Sequence, residues 1–196
     1  QGVLFWFLFR YRRAASPKAA YITGLEPELT RWVNIPHGLV ILCDVVLIVG
    51  ALRVWDTVKM TLPEADQNIR IEAQQWAWTF THPGPDGTLD TPDDIRTVDA
   101  LYLEKDQVYH FELGSADVVH SFSVPAFRLK QDAVPGRTIR GWFKPTKLGI
   151  FDVQCAEICG LGHGYMAGRL TVHTAAEHEV WVAGHGAQAS RQGEGK

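Results

Sequence analysis

The chain has 196 residues, enough for one domain or for one domain with a membrane anchor. Hydrophobic residues make up 46% of it and charged residues 21%, which excludes a disordered chain and a multi-span transporter. The net charge of −3 argues against a nucleic-acid-binding protein, and three cysteines are too few for a disulfide scaffold. Because the net charge is +3 over residues 1–63 and −6 over residues 64–196, two parts in different environments are predicted.

The first apolar segment, Val3 to Phe9, is too short to cross a membrane. Three arginines follow it within residues 10–13, and basic loops remain on the cytoplasmic side of a membrane. We therefore interpret residues 1–9 as the end of a first transmembrane helix, incomplete in this chain, and residues 10–32 as a cytoplasmic loop. The alternative interpretation is an N-terminal hydrophobic strand.

The second apolar segment, Val33 to Trp55, has two full charges, Asp44 and Arg53. About 20 apolar residues span a bilayer, so residues 33–56 are predicted to form a second transmembrane helix. Pro36 would lie near its start, where a missing backbone N–H costs little. Because a carboxylate is costly inside a membrane, Asp44 is expected to face a protein partner or a cavity. The alternative is a buried helix of a soluble protein.

From Gln67 onward the sequence shows short β-rich runs separated by turn residues. Seven such runs without intervening helices predict an antiparallel β-sandwich with Greek-key connections. In the first run the apolar residues occupy odd-numbered positions before Gln74–Gln75 and even-numbered positions after it. This change in the alternation predicts a β-bulge that redirects the tryptophan side chains. The tail, residues 175–196, is predicted to be a short helix followed by disorder. The predicted strands are Ile69–Phe80, Leu101–Leu103, Val108–Leu113, Val118–Val124, Thr138–Phe143, Ile150–Gln154 and Arg169–His173.

The residues that carry chemistry are concentrated in the segment CAEICGLGHGYM, residues 155–166. Two thiols, Cys155 and Cys159, are followed by His163 and then by Met166. Cys, His and Met are the ligands of electron-transfer copper sites, whereas structural zinc sites use Cys and His without Met. The spacing also differs from a thioredoxin-like CxxC motif and from the CxxCH motif that attaches haem.

One more imidazole is needed, and His120 is the best candidate because it lies at the inner end of a predicted strand. His110 and His173 alternate on predicted strands and are expected to be ordinary surface residues. Two thiolates and two imidazoles exceed the ligands of one blue copper ion, which takes one Cys, two His and a weak axial Met. They suit two copper ions that share both sulfurs, with Met166 and the carbonyl of Glu157 as weak ligands. The alternative is a loop that holds a disulfide or zinc.

The chain resembles the subunit II family of the haem-copper respiratory oxidases, in which cytochrome c oxidase subunit II carries the dinuclear copper centre A. The resemblance covers almost the whole chain. It implies an extracytoplasmic cupredoxin domain over residues 67–174, anchored in a bacterial plasma membrane, rather than a mitochondrial one, by an N-terminal helical hairpin. The segments that carry it are QQWAWTF (74–80), DVVHSFSVPAFRLKQDAVPGR (117–137) and FDVQCAEICGLGHGYM (151–166).

The resemblance also implies that this chain receives electrons from cytochrome c or a similar soluble donor. The electrons would pass to haem in subunit I, where oxygen is reduced and protons are pumped. Subunit I, further membrane subunits and lipid are the implied partners, and nucleic acid is not among them.

Residue by residue, the resemblance implies one set of copper ligands, and it implies that the Glu157 side chain binds Mg²⁺ at the boundary with subunit I. An oxygen ligand suits that hard cation. Trp76 resembles the tryptophan that first receives electrons, and Trp78 is expected to pack in the core. The alternative for Trp76 is also plain core packing. The implied copper ligands are His120, Cys155, the Glu157 carbonyl, Cys159, His163 and Met166.

The sequence departs from the family pattern at Ala77 and Ser123, where aromatic residues are usual, so the identity of the donor is open. The segment 83–99 holds five aspartates, which could steer a basic donor, bind calcium or form a solvated loop. Glu28 lies one residue along the sequence from the position at which the family has a carboxylate at the mouth of a proton channel.

The same residues distinguish among three other functions. A quinol oxidase subunit of this fold lacks the copper ligands that are present here. A subunit of a copper-centre-A nitric oxide reductase would keep them, because its reaction also occurs on another chain. A copper carrier is disfavoured, because buried bridging thiolates and a fixed Met oppose easy release of the metal.

Overall fold

The computed structural model describes residues 1–12 and 21–193, and it forms two compact units, Gln1–Trp55 and Asp56–Lys196. Residues 13–20 of the predicted cytoplasmic loop and the last three residues of the predicted tail lie outside the described residues. The second unit holds the predicted β-sandwich and therefore the predicted metal ligands.

The first unit contains helices α1, Gly2–Arg10, and α2, Pro27–Trp55. In the described part of the chain one helix, Pro27–Met60, is long and apolar enough to cross a membrane. The helix begins six residues before the predicted start, because Pro27 suits the first helical position and Glu28 is favourable in the first turn. Glu28 forms an ion pair with Arg31 at 3.3 Å.

Pro36 lies inside α2 and not near its start, which corrects the prediction. A proline in this position cannot donate a hydrogen bond to the carbonyl one turn earlier. The apolar sequence on both sides of Pro36 nevertheless continues the helix to Trp55. A π-helical turn, Asp56–Met60, begins the second unit.

The second unit is the predicted all-β sandwich, built from two five-stranded sheets. The first sheet has the order β3-β2-β1-β5-β8 and the second has the order β4-β10-β9-β6-β7. Aromatic and aliphatic side chains from both sheets form one core, with Trp78, Phe80, Phe111 and Phe122 fully buried. The strands are β1 Gln67–Gln74, β2 Ala77–His82, β3 Ile95–Val98, β4 Ala100–Glu104, β5 Tyr109–Ser115, β6 His120–Val124, β7 Leu129–Ala133, β8 Ile139–Phe143, β9 Gly149–Cys155 and β10 Ala167–His173.

The sheets are mixed, so the prediction of a purely antiparallel sandwich is wrong in this respect. Strands β1 and β5 pair in parallel, and so do β4 and β10. Parallel neighbours need crossover connections between elements that are distant in sequence. The alternation of apolar residues reports which face of a strand is buried and carries no information about the direction of its neighbour.

The predicted strand Ile69–Phe80 is a hairpin of two strands, and the predicted bulge is absent from it. Gln74 of β1 pairs with Ala77 of β2, and the two-residue connection Gln75–Trp76 reverses the chain. In this register Ala73 lies opposite Trp78, so the inward-facing side chains of β1 and those of β2 point into the same core. The parity change in the sequence therefore comes from the reversal of the chain.

Two strands, β3 and β7, were not predicted from the sequence. Each lies at the edge of its sheet, with one neighbouring strand instead of two. An edge strand buries fewer of its side chains, so its sequence need not alternate clearly. In β7 only Ala133 is fully buried, and in β3 only Ile95 is.

The predicted C-terminal helix is present as α3, Ala175–Gly193, and at 19 residues it is longer than the short helix followed by disorder that was predicted. Thr174 and Glu177 form a capping box, in which Glu177 accepts hydrogen bonds from the N–H and the hydroxyl of Thr174 at 2.9 and 2.8 Å. Trp181 attaches the helix to the sandwich by stacking on Tyr102 and contacting His82, with ring centroids 4.7 and 5.0 Å apart. His82 is the buried last residue of β2.

Candidate metal centre

The candidate centre is formed by the first residue of β6, the last residue of β9 and the loop that joins β9 to β10. Cys155 ends β9, and its backbone N–H donates to the carbonyl of Met166 at 3.0 Å, which closes the loop on itself. His120 begins β6, the strand that pairs with β9. The pairing of these two strands brings His120 to the loop although 35 residues separate it from Cys155.

The two thiols lie together, with the sulfurs of Cys155 and Cys159 3.7 Å apart. Each thiol faces an imidazole through Nδ1, because His120 Nδ1 is 3.9 Å from Cys155 Sγ and His163 Nδ1 is 3.7 Å from Cys159 Sγ. Three of these ligand atoms, from His120, Cys155 and Cys159, lie within 4.8 Å of one another. Among the described residues this is the one cluster of three such side chains at that separation.

Two weaker donors complete the cluster. The thioether sulfur of Met166 is 3.1 Å from His120 Nδ1 and 3.8 Å from Cys159 Sγ. The carbonyl of Glu157 lies 3.2 Å from Cys155 Sγ. The predicted ligands are therefore neighbours in space, and the donor set contains two thiols, two imidazoles, one thioether and one carbonyl. Such a soft-to-borderline set fits copper and does not fit a hard cation such as Mg²⁺.

Burial controls the protonation of the Cys159 thiol. His120, Cys159 and Met166 are almost completely buried. Burial, followed by the neighbouring Cys155 thiol, raises the pKa of Cys159 to about 11. The metal-free thiol is therefore protonated at neutral pH, and a metal ion must displace its proton to bind the thiolate.

Asp117 orients His120 and was not singled out in the sequence. Its carboxylate is 2.8 Å from His120 Nε2, which leaves Nδ1 directed at Met166 and Cys155. The same carboxylate accepts a hydrogen bond from the N–H of Gln75 at 2.7 Å. Partial burial raises the pKa of Asp117, but these hydrogen bonds outweigh it and leave the pKa below its usual value.

Trp76 lies directly on the ligand loop. Its indole N–H donates to the carbonyl of Cys159 at 3.3 Å, and the side chain of Gln75 donates to the same carbonyl at 2.7 Å. A side chain at Gly162 would collide with the indole, and Gly160 has φ of +122°, which favours glycine. Trp76 remains 41% exposed, whereas Trp78 is fully buried, as predicted for a packing residue.

The ligand loop also presents apolar side chains to the solvent. Leu161 is 97% exposed, and Ile158 and Tyr165 are almost as open. Together with the exposed edge of Trp76 they form an apolar surface next to the candidate ligands. An apolar surface of this kind, on a loop rather than in a core, is typical of a contact site for another protein.

The remaining predicted side chains are not among the donors of the cluster. The Glu157 side chain is exposed, while its carbonyl contributes to the cluster. The first four aspartates of segment 83–99 make contacts within their loop, and Asp90 also lies 2.8 Å from the guanidinium of Arg70. The fifth, Asp99, accepts a hydrogen bond from the N–H of Trp78 at 2.8 Å. Asp117 could have been found from its position three residues before His120, the spacing of a side chain that reaches back to an imidazole.

The comparisons with known proteins identify the family of the chain. The family model described as "Cytochrome C oxidase subunit II, periplasmic domain" matches residues 67–171. The chain is 31% identical to the alternative cytochrome c oxidase subunit 2 of Bradyrhizobium diazoefficiens over 89% of its own length and 69% of the relative's. It is 27% identical to cytochrome c oxidase subunit 2 of Cereibacter sphaeroides, over 92% and 68% respectively.

A solved structure is similar to the sandwich. It is the periplasmic domain of subunit II of cytochrome oxidase from Bradyrhizobium japonicum, with a TM-score of 0.58 and 28% identity. The similarity covers 65% of this chain and 99% of that one. The two relatives compared by sequence are longer, and this chain spans about two thirds of each.

Proposed function

The chain belongs to the cytochrome c oxidase subunit II family, and from this we propose that its sandwich accepts electrons at a dinuclear copper centre. The electrons then pass to haem in another subunit of a terminal oxidase. The observation that carries the proposal is the convergence of two thiols, two imidazole Nδ1 atoms, a thioether and a carbonyl around one point.

The donor set fits two copper ions better than one. A single electron-transfer copper ion takes one thiolate, two imidazoles and a weak axial ligand. Here each thiol has an imidazole of its own, and each end of the cluster has one weak donor, Met166 or the Glu157 carbonyl. Two copper ions held by these residues would supply one-electron chemistry shared by both metals. The ligands would be His120, Cys155, Glu157 through its carbonyl, Cys159, His163 and Met166.

The chain holds the donors in place before any electron arrives. Asp117 keeps His120 in one orientation, and the buried Cys159 and Met166 exclude water from the centre. The N–H of Cys155 bonded to the carbonyl of Met166 ties the two ends of the ligand loop together. Because preorganised groups need not rearrange when charge moves, such a cage favours rapid transfer in both directions.

Trp76 is proposed to receive the electron from the donor, because it is exposed on one side and bonded to a ligand's backbone on the other. The apolar surface of Ile158, Leu161 and Tyr165 would contact the donor, and the aspartates of segment 83–99 could steer a basic one. Cytochrome c or a similar soluble protein fits that description.

Trp76→Phe is expected to slow oxidation of reduced cytochrome c by the copper-loaded chain by about tenfold. Phenylalanine lacks the N–H that reaches the Cys159 carbonyl and has a smaller ring for contact with the donor. The rate is measured by stopped-flow absorbance. Trp142→Phe is the matched control and should leave the rate unchanged. Trp142 lies on β8, and its indole N–H donates to the carbonyl of Val58. An unaltered rate in Trp76→Phe would remove this indole from the electron path.

The cellular setting follows from the family and from the apolar helix. We propose that Pro27–Met60 anchors the chain in a bacterial plasma membrane with the sandwich on the extracytoplasmic side. Subunit I, other membrane subunits and lipid are the proposed neighbours, and the exposed carboxylate of Glu157 would bind Mg²⁺ at the boundary with subunit I. Oxygen reduction coupled to proton pumping is the proposed reaction of the whole complex.

Electron paramagnetic resonance of the copper-loaded chain tests the proposal directly. We expect hyperfine splitting from one unpaired electron shared equally by two copper nuclei, with two copper ions per chain by elemental analysis. A spectrum of one isolated copper ion, or preferential retention of zinc, would contradict the dinuclear assignment.

A further inference from the structure

The turn between β1 and β2 is bonded to the ligand loop through two adjacent residues. The side-chain amide of Gln75 donates to the carbonyl of Cys159 at 2.7 Å, and the indole N–H of Trp76 donates to the same carbonyl at 3.3 Å. Gln75 and Cys159 are 84 residues apart in sequence, so the contact joins two distant segments. The shorter of the two bonds comes from Gln75 and not from the proposed electron-entry residue.

The backbone of Gln75 is bonded to the second side of the centre. Its N–H donates to Asp117 Oδ2 at 2.7 Å, and Asp117 Oδ1 lies 2.8 Å from His120 Nε2. Gln75 therefore connects to two candidate ligands, to Cys159 through its side chain and to His120 through the carboxylate of Asp117. The bonds on both sides fix the turn relative to the ligands, because each is within the distance range of a good hydrogen bond.

The ligand loop leaves room for this side chain because a glycine follows Cys159. A Cβ atom at Gly160 would lie 2.9 Å from Gln75 Nε2, closer than real Cβ contacts allow, and 3.2 Å from the indole of Trp76. Glycine therefore permits the close approach of the Gln75 amide to the Cys159 carbonyl. The loop and the turn fit one another, which indicates a specific contact rather than a chance meeting of surface side chains.

We propose that Gln75 is a positioning residue of the copper centre, which holds the Trp76 indole at a fixed position against the backbone of Cys159. The inference rests on the proposed electron-transfer function, and Gln75 acts in it only through the residues to which it is bonded. A displacement of about 1 Å between reacting groups can slow a reaction about 100-fold. The two bonds of Gln75 prevent such a displacement at the point where the electron enters.

Gln75→Leu in the copper-loaded full chain tests the proposal, because leucine has a similar size and lacks the amide donor. We expect electron entry at saturating reduced cytochrome c to slow about tenfold, since groups bonded to the ligands of a metal contribute about 10–100-fold to activity. The KM for cytochrome c should not change. The reduction potential should fall, because an N–H group directed at a ligand disfavours the more positively charged, oxidised centre. Gln75→Asn, whose amide is one carbon shorter, should give the same changes.

Hydrogen exchange in the metal-free full chain gives a readout that is independent of electron transfer. Without the Gln75 amide the Trp76 indole should separate from the Cys159 carbonyl more often, so we expect its N–H to exchange about tenfold faster in Gln75→Leu. Nuclear magnetic resonance measures the rate, and Trp76→Phe identifies the signal by its loss. Gln74→Leu is the matched control, because Gln74 is the exposed neighbour on β1 and its side chain is bonded to no described residue. It should change neither the exchange nor the electron entry.

An unchanged rate of entry at saturation in Gln75→Leu would overturn the positioning role, and a raised KM beside it would make Gln75 a contact for the donor instead. Equal changes in Gln74→Leu would also overturn it. A copper-loaded parent chain without the shared-electron signal would contradict the proposed function and not this inference, which the indole exchange then decides alone. The same exchange measurement decides if Gln75→Leu keeps its β-sheet circular dichroism but does not bind copper.

Discussion

Replacement of Cys159 by Ser is expected to abolish the proposed dinuclear centre while the sandwich stays folded. The sulfur of Cys159 contacts three other donors, at 3.7 Å from both Cys155 Sγ and His163 Nδ1 and 3.8 Å from Met166 Sδ. A serine hydroxyl is a harder ligand and does not readily ionise, so it would bind copper much more weakly than the thiolate. We expect loss of the shared-electron resonance signal and of donor oxidation, with the β-sheet circular dichroism retained.

Cys43→Ser is the matched control for this variant. Cys43 is an exposed residue of α2, and it is the remaining cysteine of the chain. Its replacement should leave the copper content and the spectrum unchanged. Retention of the native copper spectrum in Cys159→Ser would show that the sulfur is not a ligand, and the assignment of all the neighbouring donors would have to be revised.

Trp78→Ala is expected to lower the free energy of unfolding by about 3–5 kcal/mol, the usual cost of removing a large aromatic side chain from a core. Trp78 is fully buried and packs edge-on against Phe122 and His120, with centroids 5.5 and 6.3 Å apart. Because its indole N–H has no partner, no hydrogen bond is lost, and the effect comes from packing. Chemical denaturation followed by circular dichroism measures it.

The cavity left by Trp78→Ala should also loosen His120 and weaken copper binding, since the two rings are in contact. Trp142→Ala is the comparison variant, because Trp142 is only partly buried on β8. We expect it to cost less than about 1.5 kcal/mol, in the range of substitutions outside the core. Equal losses in the two variants would contradict the central role of Trp78 in the sandwich.

The proximity of the candidate donor residues could be predicted because metal chemistry selects residue types and spacings that few other functions need. Cys155, Cys159, His163 and Met166 lie within twelve residues of one another, so their proximity is largely a local property of the chain. His120 was predicted with them because its residue type completed the set. Its approach to Cys155 nevertheless depends on the pairing of β6 with β9.

The residues that support the site are set by tertiary structure. Asp117 reaches His120 over three residues, but it also binds Gln75, which is 42 residues away in sequence. Trp76 contacts the ligand loop only because the hairpin turn at Gln75–Trp76 lies over it. A sequence pattern reports residue types and burial, and it does not report which distant backbone groups a side chain meets.

The apolar helix, the β-rich second part and the candidate metal donors of the segment 155–166 were predicted from the sequence alone, because each depends on composition, periodicity or spacing within a short window. The mixed pairing of the sheets, the edge strands β3 and β7, and the burial of His82 under Trp181 were decided only by the tertiary structure. These features join segments that are far apart in the chain. The free energy gained by burying two such segments against one another depends on both of them, so the residues of one segment alone do not predict it.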